Sequence, residues 1–351
     1  MRPAVPAPYR RAVTGEATTG LATWRYPAWR AGALAWAGEQ LVRLGLEPGG
    51  EPEQPHVRVW STAFRLPLAG GGAVWLKAPG AGSAHEPALS AALGRAAPGH
   101  VLVPLAVDAD RRLLLLPDGG RRLRERGTDD AGTWVALLQA YAALQLDLAG
   151  RSGELLALGV PDLRPAALPA LVADLLADDD AQCAGRPGGL DPGVRARVAA
   201  SLGRYADACR ELADGVPATV QHDDLHDGNV FASDDGFRFF DWGDASLAHP
   251  FLSLLVGLTS AARVLGVPAG SPELRRLRDA YLEPWSAHGS RQELRRQCDL
   301  ALHVAPLARA LTWRRILRGV HPDERGEWQL SVAEWTTEHL APGPLTAATP
   351  A

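Results

Sequence analysis

The hydrophobic and polar positions of the chain follow two different periods. From His56 to Pro117 apolar side chains alternate with polar ones in short runs, which is typical of half-buried strands. Four strands are predicted, at 56–68, 73–77, 101–107 and 111–116. A helix is predicted over 83–95, between the second strand and the third. This order predicts a small antiparallel sheet with one helix packed against it.

Elsewhere the apolar positions recur every three to four residues, which is the period of a helix. One such stretch, 24–46, predicts a single helix outside the sheet, followed by a linker up to residue 55. Further helices are predicted at 129–150, 164–178, 192–214, 251–265, 272–288, 291–318 and 323–340. The whole pattern predicts an α+β fold, with a small antiparallel sheet and a larger, mainly helical part.

The predicted domains follow these changes of pattern. They are an N-terminal extension with one helix (1–55), a sheet lobe (56–117), a helical lobe (118–341) and a disordered tail (342–351). The first 20 residues have no periodicity and are expected to be a mobile lead-in.

The helical period is interrupted by the stretch QHDDLHDGNVFASDDGFRFFDWGD, residues 221–244. Asp224 lies five residues before Asn229, and a short apolar run precedes Asp241. A carboxylate, a carboxamide and a second carboxylate in this order suit phosphoryl transfer. One Asp accepts the proton of the attacking hydroxyl, while the Asn and the second Asp hold magnesium on the nucleotide phosphates. A solvated acidic loop is the alternative, but strand-like segments on both sides of the loop argue against it.

Composition narrows the class of protein. The chain has 351 residues, of which 46% are hydrophobic and 22% charged, as in a globular protein with a sizeable core. No apolar run is long enough to span a membrane, and no signal peptide is evident. The three cysteines are far apart, which indicates neither a zinc cluster nor a disulfide framework and predicts a cytoplasmic protein. The net charge of −4 gives no indication of a nucleic-acid partner.

Lys77 is the only lysine among the 36 lysine and arginine residues. In a chain that otherwise uses arginine for positive charge, the surviving lysine suggests a task that needs a compact ammonium, such as a contact with phosphate. Its position on a predicted strand, with Glu86 on the next predicted helix, fits that hypothesis.

These residues together resemble the aminoglycoside phosphotransferase family, the small-molecule branch of the protein-kinase-like fold. The resemblance covers residues 56–340 and is most specific in HDDLHDGN, which starts at His222 and is similar to the family's H-G-D-L-H-x-x-N. The segment FFDWGD around Asp241 stands where protein kinases have D-F-G. The resemblance implies an ATP- and magnesium-dependent kinase whose acceptor is a hydroxyl group of a small molecule.

The resemblance also implies roles for single residues. Asp224 would be the catalytic base, and Asn229 and Asp241 the magnesium ligands. Lys77 would contact the nucleotide phosphates, with Glu86 as its ion-pair partner. Leu115, Leu116 and Pro117 lie where the family has its hinge, whose backbone groups bind the base of the nucleotide; GTP is not excluded.

Two departures from the family pattern concern the loops. No glycine-rich phosphate loop is present near Val59; the predicted turn there is Trp60–Ala63, so Ser61 and Thr62 would supply backbone and hydroxyl donors instead. Asp223 stands where the family usually has glycine or another small residue, and its spacing excludes it as the base.

The remaining polar residues of the motif have two interpretations each. His222 is predicted to be structural, with a hydrogen bond to the segment of Asp241. His226 is structural or contacts substrate. Asp244 positions substrate or, as the slightly favoured alternative, caps the helix that follows it.

Two other functions compete with the kinase hypothesis. A metal-dependent hydrolase would use His222, Asp224 and His226 as ligands, but it leaves Lys77 and the sheet without a role. An inactive nucleotide-binding pseudokinase has no positive support, because the base, the metal ligands and the lysine are all present. The identity of the acceptor stays open: an aminoglycoside would require an acidic pocket, and the predicted helices after residue 272 mix arginines and acids equally.

Overall fold

The structure of the protein is a computed structural model that describes residues 19–127 and 130–346. The predicted lead-in up to residue 18, Asp129 at the predicted start of a helix, and the tail from residue 347 lie outside the described residues. The chain divides into two compact units. Unit 1 consists of the residues up to Arg95, of Leu102–Gly119 and of Arg315–Gln329, and unit 2 of Ala96–Val101, Gly120–Arg314 and the residues from Leu330 onward.

Unit 1 contains an antiparallel sheet of five strands in the order β1-β2-β3-β5-β4. The strands are β1 (Glu53–Arg58), β2 (Ser61–Pro67), β3 (Ala73–Pro79), β4 (Ala106–Asp108) and β5 (Leu113–Pro117). The central strand β3 pairs with both β2 and β5, and this register places Lys77 opposite Ala63 on one side and Leu114 on the other. The predicted antiparallel sheet is therefore confirmed, with one strand more than expected.

The additional strand arises because the segment 56–68 is a hairpin and not a single strand. Arg58 pairs with Ser61 across a tight turn at Val59 and Trp60. The turn predicted at Trp60–Ala63 is therefore wrong, and Ser61 and Thr62 lie inside β2. Each turn resets the alternation of inward and outward side chains, which is why the pattern over this segment is imperfect.

The helix predicted over 24–46 is two helices, α1 (Leu21–Arg25) and α2 (Pro27–Arg43). Pro27 cannot donate a backbone hydrogen bond, and it holds the preceding residue, Tyr26, in an extended conformation. Both helices contribute to the core of unit 1, where Trp24 and Trp36 are buried together with side chains of the sheet. The described part of the predicted N-terminal extension, from Thr19 onward, thus belongs to the sheet unit.

Helix α3 (Glu86–Ala96) occupies most of the segment predicted as the single helix of the sheet lobe. A late part of the chain, residues 315–329, also belongs to unit 1, which the sequence pattern did not indicate. Thr19 donates its N–H to the carbonyl of Gly319 over 2.7 Å. A Cβ on Gly82 would lie 2.7 Å from Cα of Ile316, so this close approach requires glycine.

Unit 2 is mainly helical. Its helices are α4 (Leu123–Arg126), α5 (Ala131–Asp147), α6 (Ser152–Ala157), α7 (Leu168–Ala177), α8 (Pro192–Ala213), α9 (Leu254–Leu265), α10 (Pro272–Leu282), α11 (Arg291–Arg318, whose last turn counts with unit 1) and α12 (Ser331–Glu338). The predicted bounds agree closely for α8 and α11, whereas α12 begins later than predicted because short 3₁₀ turns precede it. α4 and α6 were not predicted.

Short strands interrupt the helices of unit 2. β6 (Asp162–Leu163), β10 (Ser246–Ala248) and β7 (Thr219–Gln221) form a three-stranded sheet, and β8 (Val230–Ser233) pairs with β9 (Gly236–Phe239) as a hairpin. The acidic loop 222–229 runs from the end of β7 to the start of β8, so the strands predicted on both sides of it are confirmed. Within the described residues, no helix is both long and apolar enough to cross a membrane.

Candidate active site

The acidic loop rests on buried polar side chains of α5. The Tyr141 hydroxyl accepts the backbone N–H of His222 over 2.9 Å, and Gln145 Nε2 donates to the carbonyl of Val220 in β7 over 2.8 Å. Tyr281 of α10 donates its hydroxyl to the Gln145 oxygen. Because these groups are buried, each needs a hydrogen-bond partner. Together, these bonds fix the position at which the loop leaves β7.

Asp223 adopts a left-handed backbone conformation, with φ at 63°. Glycine takes this conformation without steric cost. This gives a physical reason for the glycine that is usual at this position in the aminoglycoside phosphotransferase pattern. The Asp223 side chain is not exposed: it accepts a hydrogen bond from Gln221 Nε2 over 2.8 Å, and Oδ2 lies 3.7 Å from Arg309 Nη1. Asp223 is therefore an integral part of the loop.

The carboxylate of Asp224 is contacted at both oxygens. Arg309 Nη2 donates to Oδ1 over 2.9 Å, and His226 Nε2 donates to Oδ2 over 3.2 Å. Burial raises the pKa of Asp224, but Arg309 and His226 oppose that effect and hold the pKa well below its usual value. The lowered pKa keeps the carboxylate ionised at neutral pH, and an exposed fraction of 29% leaves the side chain accessible to solvent.

Asn229 and Asp241 lie at the same end of the β8–β9 hairpin. Phe240, the neighbour of Asp241, donates its N–H to the carbonyl of Asn229 over 3.2 Å. The side-chain nitrogen of Asn229 donates to the Asp224 carbonyl over 3.0 Å and to Asp224 Oδ2 over 3.1 Å, which leaves its amide oxygen turned away from Asp224. Asp241 is exposed and left-handed, with φ at 68°. Amide and carboxylate oxygens of this kind suit magnesium.

The two histidines of the motif differ in surroundings. His222 is fully buried against Trp242, and its Nε2 donates to the carbonyl of Phe240 over 2.8 Å, as the predicted structural role requires. Burial, the largest effect, lowers the pKa of His222, so the ring is neutral at physiological pH. His226 accepts the N–H of Gly228 at Nδ1 over 2.9 Å, which leaves the proton on the nitrogen that faces Asp224.

Asp244 does not cap a following helix. It ends a short 3₁₀ turn and is followed by β10, and the next 3₁₀ turn is capped by the His249 side chain. The favoured cap interpretation is therefore wrong. Asp244 Oδ2 instead lies 4.0 Å from Arg309 Nη1, within the acidic group around that guanidinium.

In unit 1, the structure brings Lys77 and Glu86 together as an ion pair. Glu86 opens α3 and is buried, and the exposed fraction of the Lys77 side chain is 13%. The pairing depends on the register of β3 against α3, which the sequence alone did not provide.

Of the other residues predicted to contact the nucleotide, some are buried in the sheet and some are partly exposed. Thr62 is fully buried and uses its hydroxyl inside the sheet, with a bond to the His56 carbonyl over 2.9 Å. Its hydroxyl is therefore not a donor for phosphate. Ser61 is also buried in β2. Leu115 is a core residue whose carbonyl accepts the Leu105 N–H, whereas Leu116 and Pro117 end β5 and are partly exposed.

Sequence reasoning missed arginines that contact the loop, among them Arg309 and Arg124. Arg309 stands alone in the apolar run VAPLARALTW of α11, and such an isolated charge predicts a buried, paired side chain. Its partner, 85 residues away, has no local signal. Arg124 of α4 donates to Asp227 Oδ1 and lies against Gly228, where a Cβ would collide with its guanidinium.

No group of three or more His, Cys, Asp or Glu side chains in the described part of the chain is arranged to hold a metal ion. The proposed hydrolase ligand His222 faces Phe240 and not Asp224. The arrangement is instead that of a kinase loop, with a carboxylate, a carboxamide bonded to it, and a second carboxylate beside them.

A five-stranded sheet unit, a helical unit and this loop define a protein-kinase-like fold. The family model described as phosphotransferase enzyme family (APH) matches residues 84–295, more than half of the chain. The chain belongs to this family and is therefore a phosphotransferase. The predicted fold and reaction class are confirmed, and the hydrolase and pseudokinase alternatives are not favoured.

Solved structures support the fold. The chain is similar to the macrolide 2′-phosphotransferase MphH of Brachybacterium faecium, with 20% identity and a TM-score of 0.53, over 88% of this chain and 98% of that one. It is similar to the choline kinase LicA of Streptococcus pneumoniae, with 14% identity and a TM-score of 0.58, over 88% and 98%. A choline kinase of Cryptosporidium parvum has 10% identity and a TM-score of 0.56, over 83% and 88%. No curated protein sequence matches the chain.

Proposed function

We propose that the protein transfers the γ-phosphate of ATP to a hydroxyl group of a small molecule, with magnesium as the metal and Asp224 as the catalytic residue. The observation that carries this proposal is the Asp224 carboxylate itself, which is ionised, partly exposed and hydrogen-bonded to Asn229. Asp241 follows the residue that pairs with Asn229.

Asp224 orients the acceptor hydroxyl for in-line attack. The hydroxyl oxygen forms a bond to the γ-phosphorus as the bond from that phosphorus to the bridging oxygen of ADP breaks, and the proton passes to the Asp224 carboxylate. A carboxylate with a lowered pKa is a weak base, so the proton moves late, which suits the loose transition state of phosphoryl transfer. The main contribution of Asp224 is then orientation.

Asn229, through its amide oxygen, and Asp241, through its carboxylate, would hold the magnesium ion. When bound, the ion neutralises charge on the phosphates. Lys77, held by Glu86, supplies a second positive charge toward the phosphates, and the compact ammonium explains why this position keeps lysine. Leu116 and Pro117 would contact the base of the nucleotide through backbone groups, which accommodates ATP and also GTP.

The acceptor is proposed only as a class, a small molecule with a free hydroxyl group. By their printed names, the similar structures include a macrolide phosphotransferase and choline kinases, whose acceptors share little beyond that hydroxyl. Phosphate transfer to a panel of antibiotics, amino alcohols and sugars would identify the acceptor.

The proposal is tested by nucleotide-dependent thermal stabilisation and by turnover. Wild-type protein with magnesium and ATP should unfold at a higher temperature than protein alone, and Asp241→Ala should reduce that shift. Asp224→Asn should keep the shift but lose most phosphate transfer, because the carboxylate is not a nucleotide ligand. Absence of a magnesium-dependent shift in the wild type, or near-normal turnover by Asp224→Asn, would contradict the proposal.

A further inference from the structure

Arg309 contacts the acidic loop from α11, a helix that lies outside the sequence motif. Its guanidinium makes two hydrogen bonds to the loop and lies within 4.0 Å of two further carboxylates, those of Asp223 and Asp244. Nη2 donates to Asp224 Oδ1 over 2.9 Å, Nη1 donates to the backbone carbonyl of Asp223, and Nη1 also lies 4.0 Å from Asp244 Oδ2. One planar fork therefore holds both the carboxylate of Asp224 and the peptide that precedes it.

The contacts of Arg309 complement those that come from the loop itself. His226 and Asn229 both donate to Asp224 Oδ2, whereas Arg309 binds Oδ1. Without Arg309 the Oδ1 oxygen would lose its arginine donor, and the carboxylate would be restrained against rotation about its Cβ–Cγ bond only by the contacts at Oδ2. Three carboxylates, those of Asp223 and Asp224 in the loop and that of Asp244 beyond the β8–β9 hairpin, lie within 4.0 Å of this guanidinium.

The guanidinium is itself held in place. Arg309 is 6% exposed, its guanidinium carbon lies 5.1 Å from the centre of the Trp335 ring, and its α11 neighbours Ala308 and Ala310 are buried. An arginine fixed in this way loses little side-chain entropy when it binds a carboxylate. It can therefore define a position and not merely neutralise charge.

We propose that Arg309 is a positioning residue for phosphate transfer, which orients Asp224 toward the acceptor hydroxyl and holds Asp223 in its left-handed conformation. This inference rests on the proposed function of Asp224. It implies that the geometry of the catalytic carboxylate depends on a helix late in the chain, and that a lysine at position 309 does not replace the arginine fully.

The test compares Arg309→Met, Arg309→Lys and Arg309→Ala with the wild type. Phosphate release or transfer from magnesium–ATP is measured with water, choline, a macrolide and hygromycin B as acceptors, and the acceptor used most rapidly by the wild type is kept. Arg309→Met should lose about 100-fold or more in kcat, because a misplaced catalytic group costs that much. Arg309→Lys should lose less, and all variants should keep the nucleotide-dependent thermal shift.

A chemical rescue separates positioning from general stability. Millimolar methylguanidine should restore part of the kcat of Arg309→Ala, and it should not raise that of the wild type or of Asp224→Asn. Arg314→Met is the matched control, because Arg314 is a similarly buried arginine on α11 whose ion-pair partner is Asp178. This control should keep its turnover.

The outcomes distinguish the inference from the function beneath it. Turnover of folded Arg309→Met or Arg309→Lys within twofold of the wild type would overturn the positioning role and leave the kinase function intact. Equal losses in Arg309→Met and Arg314→Met, without rescue of Arg309→Ala, would also overturn it. A wild type that shows neither nucleotide binding nor turnover with any acceptor would refute the proposed function and this inference together.

Discussion

At the scale of single residues, the candidate site contains two aspartates in the left-handed region, Asp223 and Asp241. For residues with a Cβ this conformation costs about 1–2 kcal/mol, and it persists where surrounding contacts enforce it. For Asp223 those contacts are the bonds to Gln221 and Arg309. The left-handed conformation of Asp223 thus lowers the stability of the fold, but it fixes the direction of the residue that follows, Asp224.

Replacement of Asp223 should reveal this backbone cost. Asp223→Gly and Asp223→Ala both lose the side-chain contacts, but glycine accepts the left-handed conformation. We expect Asp223→Gly to have a free energy of unfolding about 1 kcal/mol higher than Asp223→Ala, measured by urea denaturation.

Asp227 serves as the matched control, since its φ is not positive. There the alanine variant should be at least as stable as the glycine variant. The same order of stabilities at both positions would contradict the explanation from backbone conformation.

At the scale of elements, the sequence predicts best those helices whose burial follows a single period. α11 has the bounds that its pattern predicts, because its apolar period continues from Arg291 to Arg318. The turn between β1 and β2 was predicted a few residues too late, because the two-residue turn at Val59 and Trp60 lacks the glycine or asparagine that usually marks one.

The candidate site likewise has residues that the local sequence pattern predicts and residues that it does not. The proximity of Asp224, Asn229 and Asp241 could be predicted from spacing, because one loop and one hairpin carry all three. Arg309 could not, because the pairing of a buried arginine with a carboxylate 85 residues away is decided by helix packing. The misassigned Thr62 has the same origin, since the hydroxyl of a strand residue is used by whichever strand lies beside it.

Tyr141 of helix α5 should support the loop through its hydroxyl group. Tyr141→Phe removes the acceptor of the buried His222 N–H and the bond to Ser253 Oγ. An unsatisfied buried donor costs about 1–3 kcal/mol, so the variant should lose stability in that range in urea denaturation.

Tyr205→Phe on α8 is the control for this substitution. Tyr205 is equally buried, but its hydroxyl has no nitrogen or oxygen partner among the described residues. Its loss should be clearly smaller, and equal losses in the two variants would refute the assigned role of Tyr141.

At the scale of the whole molecule, buried histidines should make the fold sensitive to acid. Burial, and then the neighbouring His303, lower the pKa of His339 to about 4, and burial lowers the pKa of His249 to about 3. In the unfolded chain these rings titrate near 6.5. Between the two values the unfolded state binds more protons than the folded state, so stability falls as the pH falls.

We therefore expect the free energy of unfolding to have its full value above about pH 6.5 and to fall by a few kcal/mol toward pH 4. His339→Gln should flatten part of this slope in urea denaturation at pH 7.5, 6 and 5. His321→Gln, at a position with a side-chain exposed fraction of 43%, is the control for the loss of a histidine, and its slope is compared with that of His339→Gln. A slope for His339→Gln equal to that of the wild type would exclude His339 as a source of the effect.

The single lysine has a practical consequence for chemistry on the intact protein. Apart from the α-amino group, Lys77 carries the only primary amine of the chain, and its side chain is only slightly exposed beside Glu86. An acyl-phosphate derivative of ATP would therefore have one side chain to acylate, so a single added mass on the intact chain would count occupied nucleotide sites. Competition by unmodified ATP should abolish that mass, and Lys77→Arg should not acquire it, so the adduct would report directly how much of the proposed nucleotide site is occupied.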